Sequence, residues 1–472
     1  MGSKKAIIIG GGLGGLAVAL RLAARRWKVT VFEQGDSFGG KMNRWDQGGY
    51  RFDTGPSLVT MPGVFEELFK VACADLRDHL ELMPIDPLAR YVFDDGFEFQ
   101  VTASLPEWLS TLKAIEPRGD RQFLRFMHLG SRLFELSRQT FFKRPPSELP
   151  DLQSLMALRH LPLRHGWGNY HRTIAAFFQS PYLRQMYDRF PTYVGSSPYR
   201  IPATLSLIPY LEHAFGGWYV RGGLYRIISA LVELAIKRGV NMASGRRVCR
   251  IQAPGRQVQG VTLEDGSSHP CDIAVMNGDS SMARILLKEE GARPLPEPER
   301  SLSGFILLIG LKRRLPEVGH HTVYFSADYP REFADLFVRR VFPEDPTVYV
   351  SIPSRSDRSM APTDGETLFM MANAPANDAD PWGEQEITEA RRRVFERLRK
   401  SGFPEIEEDI AVSSIWTPRR MAEAYDMPGG AIYGPHSHGW SHAFFAHPTG
   451  TSAAGDSITW AAAPTPAAAP RQ

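Results

Sequence analysis

Apolar residues in this 472-residue chain recur with two different periods. Ala6-Ile7-Ile8-Ile9 is an unbroken apolar run of the kind that is buried on both faces of a parallel sheet. Leu16-Ala17-Val18-Ala19-Leu20-Arg21-Leu22-Ala23-Ala24 follows as a run of good helix formers. Trp27-Lys28-Val29-Thr30-Val31-Phe32 predicts a second strand, and two shorter ones are expected at residues 90–93 and 97–101. From about residue 106 to 235 the pattern becomes helical and aromatic. Phe123, Phe126, Leu129, Leu133 and Phe134 fall at helical spacing there, which reads as a core-facing stripe. An amphipathic helix runs to Ile236. Strand patterns then return at 239–251, 258–263 and 271–277, and Gly304 to Leu311 opens a second strand-rich part that extends to about 415.

Between the first apolar run and the first helix stand Gly10, Gly12 and Gly15, at GxGxxG spacing. Chemistry calls for glycine at each point. Gly10 permits the tight strand-to-helix turn, Gly12 lets a pyrophosphate approach the backbone, and Gly15 lets helix and strand pack closely. Free N–H groups and the dipole at the helix start then attract phosphate. A glycine pattern alone is weak, but here it is followed by a helix, a second strand and an acid, Glu33, at that strand's end. An acid about 20 residues on is where a ribose hydroxyl needs an acceptor. The candidate dinucleotide contacts are Gly10, Gly12, Leu13, Gly14 and Gly15 at the turn, with Glu33 and Gln34 after the second strand.

Bulk properties narrow the class. With 43% apolar and 23% charged residues the chain reads as an ordinary globular protein, long enough for two or three interwoven subdomains. A net charge of +3, without a compact basic patch, argues against nucleic acid and leaves only weak attraction to anionic lipid. Cys73, Cys249 and Cys271 have neither metal-ligand spacing nor the number for a disulfide framework, which fits a reducing cytoplasm. Lys4-Lys5 before an apolar run imitates a signal peptide, but glycines interrupt the run, and it reads as mature protein. No apolar stretch reaches the roughly 18 residues of a spanning helix.

After Glu33 comes a second glycine pair, Gly39-Gly40, followed by Lys41. Further on stands Phe52-Asp53-Thr54-Gly55-Pro56-Ser57. Together these resemble FAD-containing amine-oxidase-like flavoproteins, and the 52–57 segment is close to that of the phytoene desaturase family of bacterial carotenoid desaturases. Tyr193-Val194-Gly195-Ser196-Ser197-Pro198-Tyr199, Pro202 to Pro209 and Gly216 to Tyr225 match the same family. The resemblance implies an α/β fold: a Rossmann-like FAD-binding domain built from discontinuous segments, a mixed-sheet substrate domain and a helical insertion that contacts the membrane. The segments expected are 1–105, 236–290 and 416–446 for FAD, 106–235 for the helical region, and 291–415 for the substrate sheet. By the same resemblance Gly39, Gly40 and Lys41 line the pyrophosphate and ribityl side, Thr54, Gly55, Pro56 and Ser57 lie under the flavin, and Val248 touches adenine through its backbone. Trp218 and Tyr219 either wall an apolar slot or pack as core aromatics. The activity implied is desaturation of a long apolar polyene, a carotene, with hydride passing to the flavin. Isomerisation, saturation or terminal oxidation on the same fold, and a non-catalytic product, stay open. A peripheral membrane location follows from the substrate, and Phe141-Phe142-Lys143-Arg144 reads equally as a helix stop or as a surface that dips into the bilayer.

Other constellations carry less. His436, His438, His442 and His447 lack an accompanying acid or cysteine and read as loop histidines, so no metal site is expected. No G-x-S-x-G elbow follows a strand. Asp53 and Arg51 read as loop and ribityl contacts rather than catalytic groups, and no catalytic side chain is assigned. The tail is anomalous. The family closes over its flavin with a strand and a turn of the type Tyr-Val-Gly-Gly-(Ser/Ala)-Thr-His-Pro-Gly-Gly-Gly, which is missing here; residues 456–472 read DSITWAAAPTPAAAPRQ instead. Codons shifted by one base permit LYYVGGSTHPGGGTP over the same stretch. The expectation is a one-base frameshift between Phe445 and Asp456, making residues 447–472 an aberrant low-complexity tail.

Overall fold

Ala6 to Ile9 are all buried, as an apolar run in the middle of a sheet must be, and they form the strand Lys5–Ile9 (β1). It is followed by the helix Leu13–Ala24 (α1), which buries Gly15, Leu16, Ala19 and Leu20, and by the strand Lys28–Phe32 (β2). The computed structural model describes residues 3–140, 156, 165–378, 382–439 and 458–460. β1 lies at the centre of a five-stranded, wholly parallel sheet in the order Ile458–Trp460, Ile273–Met276, β1, β2, Asn241–Ala243. Its strands thus come from far-separated parts of the chain, as expected of a discontinuous Rossmann-like domain. The amphipathic helix Tyr225–Lys237 packs on α1 and contributes Ile227, Ile228, Leu231 and Leu234 to the core above the sheet.

A second, seven-stranded sheet runs Ile410–Trp416, Ser303–Leu311, Glu366–Ala374, Val348–Ser351, His321–Tyr324, Ala89–Val92, Glu98–Val101. All neighbours are antiparallel except His321–Tyr324 with Ala89–Val92, which makes the sheet mixed. Every residue of Ser303–Leu311 is buried, consistent with its near-continuous apolar character and with a neighbouring strand on each side. Ala89–Val92 and Glu98–Val101 follow the nucleotide motif closely in sequence, yet they belong to this sheet and not to the parallel one.

Helices Leu105–Ile115, Gly119–Gln139, Tyr170–Phe177, Pro181–Asp188 and Leu207–Phe215 form the third part. The stripe Phe123, Phe126, Leu129, Leu133 and Phe134 is buried. Its aromatic rings meet their neighbours edge-on or tilted, with Phe126 edge-on to Phe177, Phe178 and Tyr187 at centroid distances of 5.1–5.7 Å. The stripe is core, not a lipid-facing surface. Phe141 to Arg144 lie outside the described residues. Among those described, no helix is long and apolar enough to cross a membrane.

Candidate functional site

The carboxyl ends of β1 and β2 meet the turn predicted from sequence, the place where open parallel sheets bind ligands. Gly10 takes φ +99°, its N–H bonds the Phe32 carbonyl at 2.8 Å, and its carbonyl accepts from the Asn277 side chain at 3.1 Å. A Cβ on Gly15 would stand 2.3 Å from the Gly10 carbonyl oxygen and 2.9 Å from Asn277 Nδ2, so only glycine permits α1 to lie this close to β1. Gly12 is the N-cap of α1 and supplies no side chain to cap it. The first-turn N–H groups of Leu13, Gly14 and Gly15 are therefore left for a ligand to satisfy. Gly39 docks on this turn: its N–H bonds the Gly11 carbonyl at 2.9 Å, and Gly39 bridges Gly12 in parallel register. A Cβ on Gly40 would sit 3.3 Å from the Gly12 Cα.

Glu33 is buried at the end of β2, where its Oε2 accepts from Gly11 N–H at 2.7 Å and its Oε1 from Gly35 N–H at 2.8 Å. Each oxygen keeps a lone pair, so the carboxylate can hold the loop and still accept from a ribose hydroxyl. Half-buried Gln34 follows it. The Glu33 carbonyl accepts from Arg246 N–H at 2.8 Å and the Gly35 carbonyl from Gly245 N–H at 2.9 Å. These bonds bring the start of the strand Val248–Gln252, with Val248 buried, beside the Glu33 turn across more than 200 residues of sequence. Lys41 donates its ammonium to the Ile432 carbonyl. Gly55 crosses under Lys41 so tightly that a Cβ there would be 1.8 Å from the Lys41 carbonyl oxygen. Thr54 N–H bonds the Asn43 carbonyl at 2.9 Å, Pro56 is exposed, and Ser57 Oγ hydrogen-bonds Tyr349 Oη at 2.6 Å. The sequence-predicted residues thus gather into one cradle.

A dinucleotide fits it. The glycines leave no room for side chains where a pyrophosphate needs backbone contact, the helix start is uncapped, and the buried acid stands at the second strand's end.

Asp53 adds a buried charge beside the cradle. Its Oδ2 accepts from Tyr219 Oη at 2.9 Å and its Oδ1 from Tyr225 N–H at 3.2 Å. Burial pushes its carboxyl up to about 6, against the opposing pull of hydrogen bonds from Leu224, Tyr219 and Tyr225. Asp53 therefore ties the 50–57 segment to the Gly222-Gly223 turn. Tyr219 is buried and committed to that bond, and half-buried Trp218 donates Nε1–H to the Phe215 carbonyl at 2.8 Å.

Beside Ser57, whose hydroxyl bonds Tyr349, lies a small cavity of about 20 Å³. Leu58, Ile85, Leu88, Ala89 and Val323 form its apolar wall, and Tyr91, Arg189, Tyr193, Glu212, His321 and Tyr349 its polar one. Sequence reasoning missed the polar set except Tyr193 and Tyr91, which fell inside quoted runs. The available signal was charge in the wrong place: Glu212 interrupts the apolar stretch Leu207–Phe215, and Arg189 stands directly before Phe190-Pro191. His436 and His438 stack at 4.0 Å, and His438 Nε2 accepts from Ser197 N–H at 2.9 Å, securing the 193–199 turn. His442 and His447 lie outside the described residues. So does the anomalous tail, apart from Ile458–Trp460, which pairs in parallel with Ile273–Met276 at the edge of the nucleotide sheet.

Fold and site together define an FAD-dependent oxidoreductase. The profile of the flavin containing amine oxidoreductase family matches residues 13–446, and the chain belongs to that family. Within it, the chain is 34% identical over 435 residues to a zeta-carotene-forming phytoene desaturase of Myxococcus xanthus, covering 91% of this chain and 84% of that protein. It is 33% identical to a 1-hydroxycarotenoid 3,4-desaturase of Flavobacterium sp. strain P99-3 (94% and 91% covered). It is 31% identical to a 4,4'-diaponeurosporene oxygenase of Staphylococcus haemolyticus (92% and 88% covered). Similar solved structures include a putrescine oxidase variant, with TM-score 0.62, 13% identity and coverage of 97% and 92%, and an oxidoreductase from Methanosarcina mazei, with TM-score 0.58, 16% identity and 87% of each chain. These two share the fold.

Proposed function

We propose that this protein is a carotenoid desaturase of the phytoene type, introducing double bonds into a long apolar polyene. The observation that carries the reading is the 34% identity to a zeta-carotene-forming phytoene desaturase across 91% of the chain, and the small gap lined by Leu58, Ile85, Leu88 and Val323 suits an apolar chain. The gap must widen for a polyene to enter, and burial against Leu58, Ile85, Leu88 and Val323 then supplies the binding energy. Bound FAD supplies the hydride acceptor. The chain's own residues do the rest. Gly10, Gly12, Leu13, Gly14, Gly15, Gly39 and Gly40 hold the pyrophosphate, Glu33 and Gln34 the adenosine ribose, and Val248 the adenine. Lys41 and Thr54 to Ser57 line the flavin side. The apolar wall excludes water and aligns the reacting carbons, which for a substrate without polar handles on those carbons is the main catalytic lever.

The polyene's solubility places the enzyme at the cytoplasmic membrane surface as a peripheral protein, and exposed Leu105, Leu124 and Trp167 in the helical part suit such a contact. The test is the pigment profile of hosts that make phytoene, hydroxylated acyclic carotenoids or diapophytoene, with purified protein assayed for FAD in parallel. Products with added conjugation are expected. Flavin-loaded protein that leaves every acyclic carotene unchanged overturns the reading, and isomerised, saturated or terminally oxidised products would reassign the reaction.

A further inference from the structure

The polar wall of the cavity offers more than a pure hydrocarbon can use. Arg189 follows the helix Pro181–Asp188 and projects its guanidinium over two rings, Tyr349 at 5.1 Å and Tyr193 at 5.5 Å from the centroids. Among the described residues its guanidinium makes one hydrogen bond, a long one, from Nη1 to Tyr193 Oη at 3.3 Å. Among the described residues no carboxylate forms an ion pair with it. The nearest counter-charge acts at one remove: Tyr193 Oη donates to Glu212 Oε2 at 3.0 Å. On the other side, Tyr349 Oη is engaged with His321 Nδ1 at 2.7 Å and Ser57 Oγ at 2.6 Å, and Tyr349 meets Arg189 through its ring face. A guanidinium carries five N–H donors, and Arg189 is among the residues that line the cavity.

A half-buried cation held against apolar walls is costly unless an acceptor meets it. A hydrocarbon chain offers none. Planar, rigidly stacked donors at one end of an otherwise apolar slot suit an oxygen at one end of an otherwise apolar ligand. We infer that Arg189, held by Tyr193 and Tyr349, forms a polar subsite for a terminal oxygen function, hydroxyl or carbonyl, so that the protein prefers oxygen-bearing acyclic polyenes over hydrocarbons of the same length. This rests on the reading of the site as a polyene pocket and narrows its substrate class. Glu212, joined through Tyr193, is the nearest carboxyl: burial raises its pKa, while the Tyr193 hydroxyl and the Arg189 charge pull it back.

The test is equilibrium binding to the full-length protein, followed by tryptophan fluorescence quenching. The probes are a 1-hydroxylated acyclic polyene and the hydrocarbon with the same conjugated length, in the same detergent. Wild type is expected to bind the hydroxylated probe about 10- to 100-fold tighter, the range of one or two hydrogen bonds from a charged donor. In Arg189→Met the ratio falls to about one, and Arg189→Lys, which keeps a donor, recovers part of it. Equal affinities in wild type, or a preference that persists in a folded Arg189→Met, overturns the inference and leaves the polyene reading standing. If Arg189→Met does not fold, the wild-type ratio alone decides. Binding of neither probe overturns the polyene reading, and the inference falls with it.

Discussion

Replacing Asp53 by Asn tests whether the carboxylate beside the cradle is a structural tie held at an electrostatic cost. Asp53 is 8% exposed, and burial moves its pKa from 3.8 to about 6. The folded state thus holds its proton more tightly than the unfolded chain. The stability this provides is complete below pH 3.8 and is lost as pH rises through about 6. The full loss is about 3 kcal/mol, accruing at no more than about 1.4 kcal/mol per pH unit. Asparagine cannot ionise, but it surrenders one of the two acceptors now used by Tyr219 and Tyr225, a constant penalty of about 1 kcal/mol. The variant should therefore equal wild type near pH ~4.5 and exceed it by about 2 kcal/mol at pH ~8, with nearly all the change below pH ~6.5. If the chain melts as one unit, that is a rise of about 2 °C in melting temperature. Scanning fluorimetry of both proteins at matched FAD content, from pH ~4.5 to ~8, reads the difference directly. A difference that is flat with pH, or that grows on acidification, refutes the assignment of a buried, raised carboxyl.

Other outcomes follow from the same structure. Gly15→Val forces α1 away from β1, because its Cβ would meet the fixed Gly10 carbonyl oxygen at 2.3 Å. At about 1–3 kcal/mol of overpacking it should weaken FAD retention by roughly ten- to a hundredfold, read as flavin absorbance after gel filtration. His320→Gln should show the opposite pH behaviour to the Asp53 variant. Burial lowers the His320 pKa to about 4, so wild-type stability is present above 6.5 and drains away as pH falls toward 4. The glutamine variant should gain on wild type by up to about 3 kcal/mol over that interval, and a gain confined to alkaline pH would contradict it. Reading the codons from Asp456 onward tests the frameshift. A shifted frame that spells the glycine-rich turn should, when restored, raise FAD occupancy of the purified protein, whereas codons that do not spell it remove the idea.

The nucleotide turn was legible because its chemistry is local. Gly10, Gly12, Gly15 and Glu33 lie within 24 consecutive residues, and each answers a steric or hydrogen-bonding demand that neighbours in sequence create. The apolar stripe of Gly119–Gln139 was legible for the same reason, since its period alone decides which face is buried. Sheet membership was not. Ala89–Val92 reads as a strand from its residues, but its partner, His321–Tyr324, lies more than 200 positions away, and nothing in an alternating pattern names the strand it will pair with.

The polar end of the cavity is the clearest case of what only tertiary structure decided. Arg189, Glu212, His321 and Tyr349 come from four separate segments, each unremarkable alone, and their meaning arises from meeting around one cavity. Sequence by itself determined that a dinucleotide-binding βαβ unit would form and which residues would shape it, because those forces act within a few turns of chain. The packing of helices and the mixed sheet onto that unit decided what the bound cofactor would face, because burial and the pairing of charges depend on neighbours that only folding supplies.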